Sequence, residues 1–126
     1  MNLVDSSAWL EYFAAGPNAS FFAPAIENTR ELIVPTIVIL EVYKRVLQQR
    51  DARAALEAVA ILEQGQIVDL TATLAIAAAR ISHSEKLPMA DSVILATARA
   101  EQSIVWTQDA DFKDLAGVKY RPTKIR

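Results

Sequence analysis

Asn2-Leu3-Val4-Asp5-Ser6-Ser7-Ala8-Trp9-Leu10-Glu11-Tyr12-Phe13 changes chemistry twice within a few residues. A short apolar run ends at an acid, two hydroxyls follow, and a larger apolar stretch continues until Gly16-Pro17 stops it. The passage reads as a buried strand, a polar helix cap and a helix from Ala8 to Phe13. Moving outward, the same alternation recurs. Further strands are expected at Glu31 to Val34, Gln66 to Leu70, Ser103 to Trp106 and Val118 to Tyr120. Helices are expected at Ala19 to Asn28 (with Pro24 near its start or kinking it), Thr36 to Gln49, Ala52 to Gln64, Leu74 to Lys86 and Ala90 to Gln102. Thr71 or Thr73 would cap the fifth helix, and a helical turn is expected between Asp109 and Leu115. The strands are short, apolar and without a polar–apolar alternation, as when helices cover both faces of a parallel sheet. The expected fold class is therefore α/β: a three-layer α/β/α sandwich around a short, mostly parallel sheet.

The chain has 126 residues, 52% of them hydrophobic and 22% charged. That size suits a single domain over residues 1–126, with one core. It has no Cys, which excludes thiolate metal sites, cysteine nucleophiles and a disulfide framework. No basic-then-apolar leader opens the chain, and no apolar run reaches the roughly 18 to 20 residues of a membrane span. A soluble, cytoplasmic protein without membrane attachment is expected. The net charge of -2 argues against holding nucleic acid by bulk charge. The average hides an asymmetry, because Lys113, Lys119, Arg121, Lys124 and Arg126 face a single acid, Asp114, after residue 112. Such a stretch serves either as a phosphate contact or as a solvated end.

In a parallel α/β sheet, ligands bind beyond the carboxyl ends of the strands. Asp5 directly follows the first expected strand, and Asp109 and Asp111 follow the fourth. Asp91 lies in the first turn of the helix after Pro88. Glu41 interrupts the apolar stretch Thr36-Ile37-Val38-Ile39-Leu40-Glu41-Val42-Tyr43 one turn into its helix. Taken singly, Asp5, Asp91 and Asp109 also fit as helix caps or first-turn acids. Glu41, costly to desolvate among aliphatic residues, could pair with Lys44 or Arg45. Taken together, converging strand ends would gather these carboxylates in one cleft, where like charges raise one another's pKa. A bound cation relieves that repulsion. Oxygen ligation without Cys or His suits Mg²⁺ or Mn²⁺, and such a centre serves phosphodiester hydrolysis. Ser6, Ser7 and Thr107 flank the acids and can hold the carboxylates in place or cap helix and strand ends. His83, the only histidine, reads as a surface residue.

Other chemistries lack their motifs. There is no G-x-x-x-x-G-K-[ST], G-x-G-x-x-G or G-x-S-x-G stretch. Asp5-Ser6-Ser7 does not supply the D-x-D of an aspartyl phosphatase. A receiver domain would need an acidic pair at that point and a lysine after the last strand.

Leu3-Val4-Asp5-Ser6-Ser7, Glu41 inside an apolar helix, Pro88-Met89-Ala90-Asp91 leading into Ile94-Leu95-Ala96-Thr97-Ala98, and Thr107-Gln108-Asp109-Ala110-Asp111-Phe112 together resemble the PIN-domain ribonucleases. Length and element order most resemble the VapC-like toxins of bacterial and archaeal toxin–antitoxin pairs, and the likeness runs over nearly the whole chain. The resemblance implies a Mg²⁺- or Mn²⁺-dependent endoribonuclease. Asp5, Glu41, Asp91 and Asp109 match its catalytic acids. Asp5 and Asp91 match the positions most often assigned as direct metal ligands, with Asp111 nearby, and Thr107 matches a supporting hydrogen bonder. It further implies an RNA substrate, a small cognate antitoxin and a homodimer. Gln108 departs from the family pattern, where a basic residue or Asn is frequent; it is expected not to touch the acidic cluster but to bear on substrate preference. Proximity to the acids makes Lys44, Arg45, Lys113 and Arg121 the candidate RNA contacts. Trp9, Phe13, Phe21, Phe22 and Tyr43 are expected in the core, at a dimer seam or in an antitoxin groove. The alternative is a catalytically inactive PIN-like interaction module whose acids only cap helices.

Overall fold

The apolar runs Leu3-Val4 and Leu32-Ile33-Val34 are completely excluded from solvent, and each fully buried aliphatic side chain contributes about 1.5–3 kcal/mol. They form the middle of a sheet in the computed structural model, which describes residues 1–124. Among those residues the strands are β1 (Asn2–Val4), β2 (Leu32–Pro35), β3 (Gln66–Val68), β4 (Ile104–Thr107) and β5 (Val118–Tyr120). Their order is β3-β2-β1-β4-β5, and every pairing is parallel. The helices are α1 (Ser6–Phe13), α2 (Ala19–Glu27), α3 (Thr36–Gln49), α4 (Ala52–Leu62), α5 (Ala72–Glu85) and α6 (Met89–Ala100), with 3₁₀ turns at Thr29–Glu31 and Ala110–Phe112. The chain steps from β1 out to β3 and returns to β4 and β5 on the other side. Right-handed crossovers then put α1 to α4 on one face and α5 and α6 on the other. The expected α/β sandwich is the fold.

Inside it, Trp9 is fully buried and stacks on Phe13 at 5.7 Å between ring centroids. Trp9→Ala would remove that packing at about 3–5 kcal/mol. Phe22 is fully buried too, whereas Phe13, Phe21 and Tyr43 are partly exposed. Phe13 lines an apolar groove with Leu10, Val46, Ala58 and Ile61.

Several element ends differ from expectation, each for a local reason. The first helix opens at Ser6, because the Asp5 side chain and not a serine caps it. Pro24 sits inside α2. Thr71, rather than Thr73, caps α5 by accepting from the Leu74 N–H at 3.2 Å, so the helix begins at Ala72. It stops at Lys86, whose φ of 55° is left-handed. Pro35 and Thr107 belong to their strands, through pairing with Val68 and Tyr120. Among the described residues no helix is long and apolar enough to cross a membrane. Arg126, counted in the basic stretch above, lies outside the described residues.

Candidate active site

Between β1 and β4 the connections diverge: the chain leaves β1 toward β2 and leaves β4 toward β5 on the opposite side. That divergence opens a crevice at the carboxyl ends of the two strands. Asp5 directly follows β1 and Thr107 ends β4. Asp5 Oδ1 accepts from Ser7 Oγ at 2.7 Å and from the Ala8 N–H at 3.1 Å, while Oδ2 accepts from Thr107 Oγ1 at 2.7 Å. The same Thr107 oxygen accepts from the Asp109 N–H at 2.8 Å. Burial pushes the Asp5 carboxyl up to about 6; bonds from Thr107, Ser7 and Ala8 counter it in part, and the charge of Asp109 adds to it. Asp5 is therefore both a helix cap and a buried carboxyl at the mouth of the crevice.

Beyond β4, Asp109 caps the 3₁₀ turn, its Oδ1 accepting from the Asp111 N–H at 2.9 Å. Across the crevice, Asp91 stands in the first turn of α6, half-buried. Carboxylate oxygens of Asp91, Asp109 and Asp111 all lie within 4.8 Å of one another. Desolvation, then the charge and hydrogen bonding of Asp109 and Asp111, push the Asp91 carboxyl up to about 8. Glu41 enters from α3 and accepts from Ser6 Oγ at 3.1 Å. Burial raises its pKa first, Ser6 opposes, and Asp109 raises it further. Asp109 thus acts on Asp5, Glu41 and Asp91 alike.

The expected acids do not all stand alike. Asp91, Asp109 and Asp111 share one ion-sized space. Asp5 and Glu41, also expected as ligands, lie outside that trio in this arrangement, with oxygens already engaged by Thr107, Ser7, Ala8 and Ser6. The pairing of Glu41 with Lys44 or Arg45 does not occur: among the described residues Ser6 is its hydrogen-bond partner, and both cations are exposed. Asp91 caps nothing, since Pro88 holds the cap position of α6. Lys113 is exposed beside the 3₁₀ turn, and His83 is exposed on α5. Arg121 lies 4.2 Å above the Phe21 ring and Lys119 4.5 Å above Trp106. Those two cations of the basic stretch are laid on aromatic faces rather than loose in solvent.

Asn18 escaped the sequence reading. It is 1% exposed, and its Nδ2 donates to Gln108 Oε1 at 2.6 Å and to the Pro122 carbonyl at 2.9 Å. The Gln108 N–H in turn donates to Ser7 Oγ at 3.1 Å, one bond from Asp5. Gln108 makes no hydrogen bond to the acids themselves among the described residues, and its backbone reaches Asp5 only through Ser7. An Asn before a helix reads as a cap, yet Asn18 makes no cap bond to α2; no local signal marks its real role.

A family model described as the PIN domain matches residues 3–118. No curated protein sequence matches the chain. Solved structures do. A toxin–antitoxin complex from Klebsiella pneumoniae aligns with TM-score 0.79 at 22% identity, covering 99% of this chain and 100% of that one. VapC20 of Mycobacterium tuberculosis, described as a sarcin-ricin loop cleaving toxin, aligns with TM-score 0.78 at 22% identity, covering 97% and 100%. FitAcB from Neisseria gonorrhoeae gives TM-score 0.72 at 23% identity, covering 95% and 96%. At these identities the structures share the fold, while the family model carries the membership. The chain belongs to the PIN domain family.

Proposed function

We propose that this protein is a Mg²⁺- or Mn²⁺-dependent endoribonuclease that cleaves RNA phosphodiester bonds as the toxin of a toxin–antitoxin pair. The observation that carries the reading is the trio Asp91, Asp109 and Asp111, with oxygens within 4.8 Å of one another at the carboxyl end of a parallel sheet. So close a set of carboxylates is unfavourable by itself: burial first, and then the charges of Asp109 and Asp111, push the Asp91 carboxyl up. The donor set fits a hard divalent cation: all oxygen, no thiolate and no imidazole. Asp91, Asp109 and Asp111 would hold the ion, with Asp5 and Glu41 adding negative charge beside it. A bound divalent cation there supplies Lewis acidity toward water and toward the scissile phosphate.

The chain's own residues prepare that site. Thr107 fixes Asp5 and the backbone of Asp109 through one hydroxyl. Ser7 and the start of α1 hold the other Asp5 oxygen, and Ser6 orients Glu41. These bonds restrict the carboxylates before substrate arrives, which is how a preorganised site lowers a barrier.

The whole of residues 1–126 would act as one nuclease domain, in the cytoplasm, as a homodimer restrained by a small cognate antitoxin. Support for the antitoxin comes from fold relatives described as toxin–antitoxin complexes. The test is cleavage of total cellular RNA by antitoxin-free protein, with Mg²⁺, with Mn²⁺ and with EDTA, beside Asp91→Asn. Discrete fragments that require metal and vanish in the variant are expected. A folded protein that binds neither Mn²⁺ nor RNA would instead be the inactive interaction module.

A further inference from the structure

The acidic site poses an electrostatic problem. A cluster of carboxylates repels a polyphosphate, so an RNA-cleaving site needs cations within about one Debye length, ~8 Å at physiological salt. Resting on the nuclease reading, we propose that the groove along α3 that begins at Glu41 and is lined by Lys44, Arg45 and Gln48 is the track for a single-stranded stretch of RNA backbone.

The groove has a volume of about 530 Å³, and Ile37, Leu40 and Ala90 complete its lining. Helical spacing builds it: Ile37, Glu41, Lys44 and Gln48 recur three or four residues apart and share a face, while Val38 and Val42 turn into the core. Lys44 and Arg45 lie three and four residues beyond Glu41, about 4.5–6 Å along the axis. They share the groove's lining with Glu41, which brings positive charge to the edge of the acidic site. Both are exposed, and neither forms an ion pair among the described residues. Lys119 and Arg121 by contrast rest on Trp106 and Phe21.

Charge alone would admit any polyanion, but the lining is mixed. Leu40, 59% exposed, stands beside the two cations. A single strand offers phosphates to the cations and unstacked bases to such an apolar face, whereas a duplex hides its base faces. From Glu41 to Gln48 the helix rises about 10.5 Å, the length of a short run of nucleotides. Gln48, uncharged, would meet sugar or base edges at the far end.

The experiment is fluorescence anisotropy with a labelled oligouridylate of about 12 nucleotides, in EDTA so that nothing is cut, across a salt series. Each neutralised phosphate contact on a single strand contributes about 0.7 to the slope of log affinity against log salt. The double variant Lys44→Ala/Arg45→Ala should bind about tenfold more weakly with a slope smaller by about 1.4, and Gln48→Lys should bind more tightly with a slope larger by about 0.7. Unchanged thermal melting of these surface variants confirms folding. Wild-type affinity and slope in the double variant, with metal-dependent RNA cleavage intact, would overturn the groove assignment and leave the nuclease reading standing. Absence of both RNA binding and cleavage in the wild type would overturn the two together. A poly-glutamate peptide bound as tightly as RNA, and lost equally in the double variant, would assign the groove to an acidic protein segment and overturn it.

Discussion

Thr107 Oγ1 lies 2.7 Å from Asp5 Oδ2, so one hydroxyl ties the end of β4 to the acid that directly follows β1. The two strands are paired, with Val4 opposite Trp106, and the bond sits where both hand over to loops. Because the same oxygen accepts from the Asp109 N–H, Thr107 sets the spacing between two site acids.

Thr107→Val keeps the shape of the side chain and removes that link. It leaves an oxygen of buried Asp5 and the Asp109 N–H without their partner, a loss of about 1.5–3 kcal/mol for bonds to a charged group. Calorimetry should show Tm lower by about 5–10 °C. The Asp5 carboxyl, deprived of a bond that lowers its pKa, should titrate above its present value of about 6 in a carboxyl-resolved NMR titration. Thr107→Ser restores the hydroxyl and should recover both quantities. Equal behaviour of Val and Ser would show that the hydroxyl does not matter.

The raised acids give the metal-free protein a defined pH dependence. Asp5 and Asp91 bind their protons more tightly in the folded state than at the ordinary carboxylate value of 3.8. Between about pH 4 and pH 8 the native state therefore holds more protons than the unfolded chain, and stability falls as pH rises. In EDTA, Tm should decline from pH 5 through pH 6 and onward to pH 8, with Asp91→Asn flattening the upper part. Mn²⁺ at pH 8 should restore the lost stability by binding only the native state. A Tm rising over this range in EDTA would contradict the repulsive cluster.

Asp109→Asn separates function from stability. The charge of Asp109 raises the pKa of Asp5, Glu41 and Asp91, while its cap bond to the Asp111 N–H is one that Asn can also make. Allowing for screening by water on the open side of the site, the metal-free variant should gain roughly 1 kcal/mol, about 4 °C. Cleavage and Mn²⁺ binding by titration calorimetry should both be lost. A variant that melts lower and still binds Mn²⁺ would reverse the assignment.

The local signals in the chain carried most of the fold and part of the site. Short apolar runs such as Leu3-Val4 before Asp5 and Leu32-Ile33-Val34 before Pro35 mark the strands, and the rule of carboxyl-end binding points at Asp5, Asp109 and Asp111. What stayed hidden depends on long separations. Ser6 meets Glu41 across 35 residues, and Asn18 meets Gln108 across 90. Neither pair shares a period or a motif, so a Lys or Arg beside Glu41 looked the nearer partner. The division among the acids was hidden too, because it depends on which carboxylates already have donors. The apolar run alone ends at Trp106, and only the parallel pairing with Tyr120 shows that the strand includes Thr107.

Asn18 provides the last prediction. It is buried, its backbone N–H donates to Glu11 Oε2 at 2.8 Å, and its Nδ2 holds both Gln108 and the Pro122 carbonyl. That one amide fastens the segment after β5 to the loop that follows β4. Asn18→Ala would remove the donor to two part-buried acceptors, at about 0.5–1.5 kcal/mol per bond, and open a small cavity beside them. Asn18→Asp is the sharper change, because it turns a carboxylate toward the Gln108 and Pro122 oxygens and replaces attraction with repulsion. Both variants should melt lower, Asp more than Ala, and both should loosen the chain beyond Tyr120. Limited trypsin digestion should then cut after Lys119 well before the rest of the fold opens, once Arg121 no longer lies fixed over Phe21; the Arg121–Pro122 bond resists trypsin in any state. Protection equal to wild type at Lys119, with a lowered Tm, would mean that Asn18 supports only the core and that the segment is anchored by its strand and aromatic contacts alone.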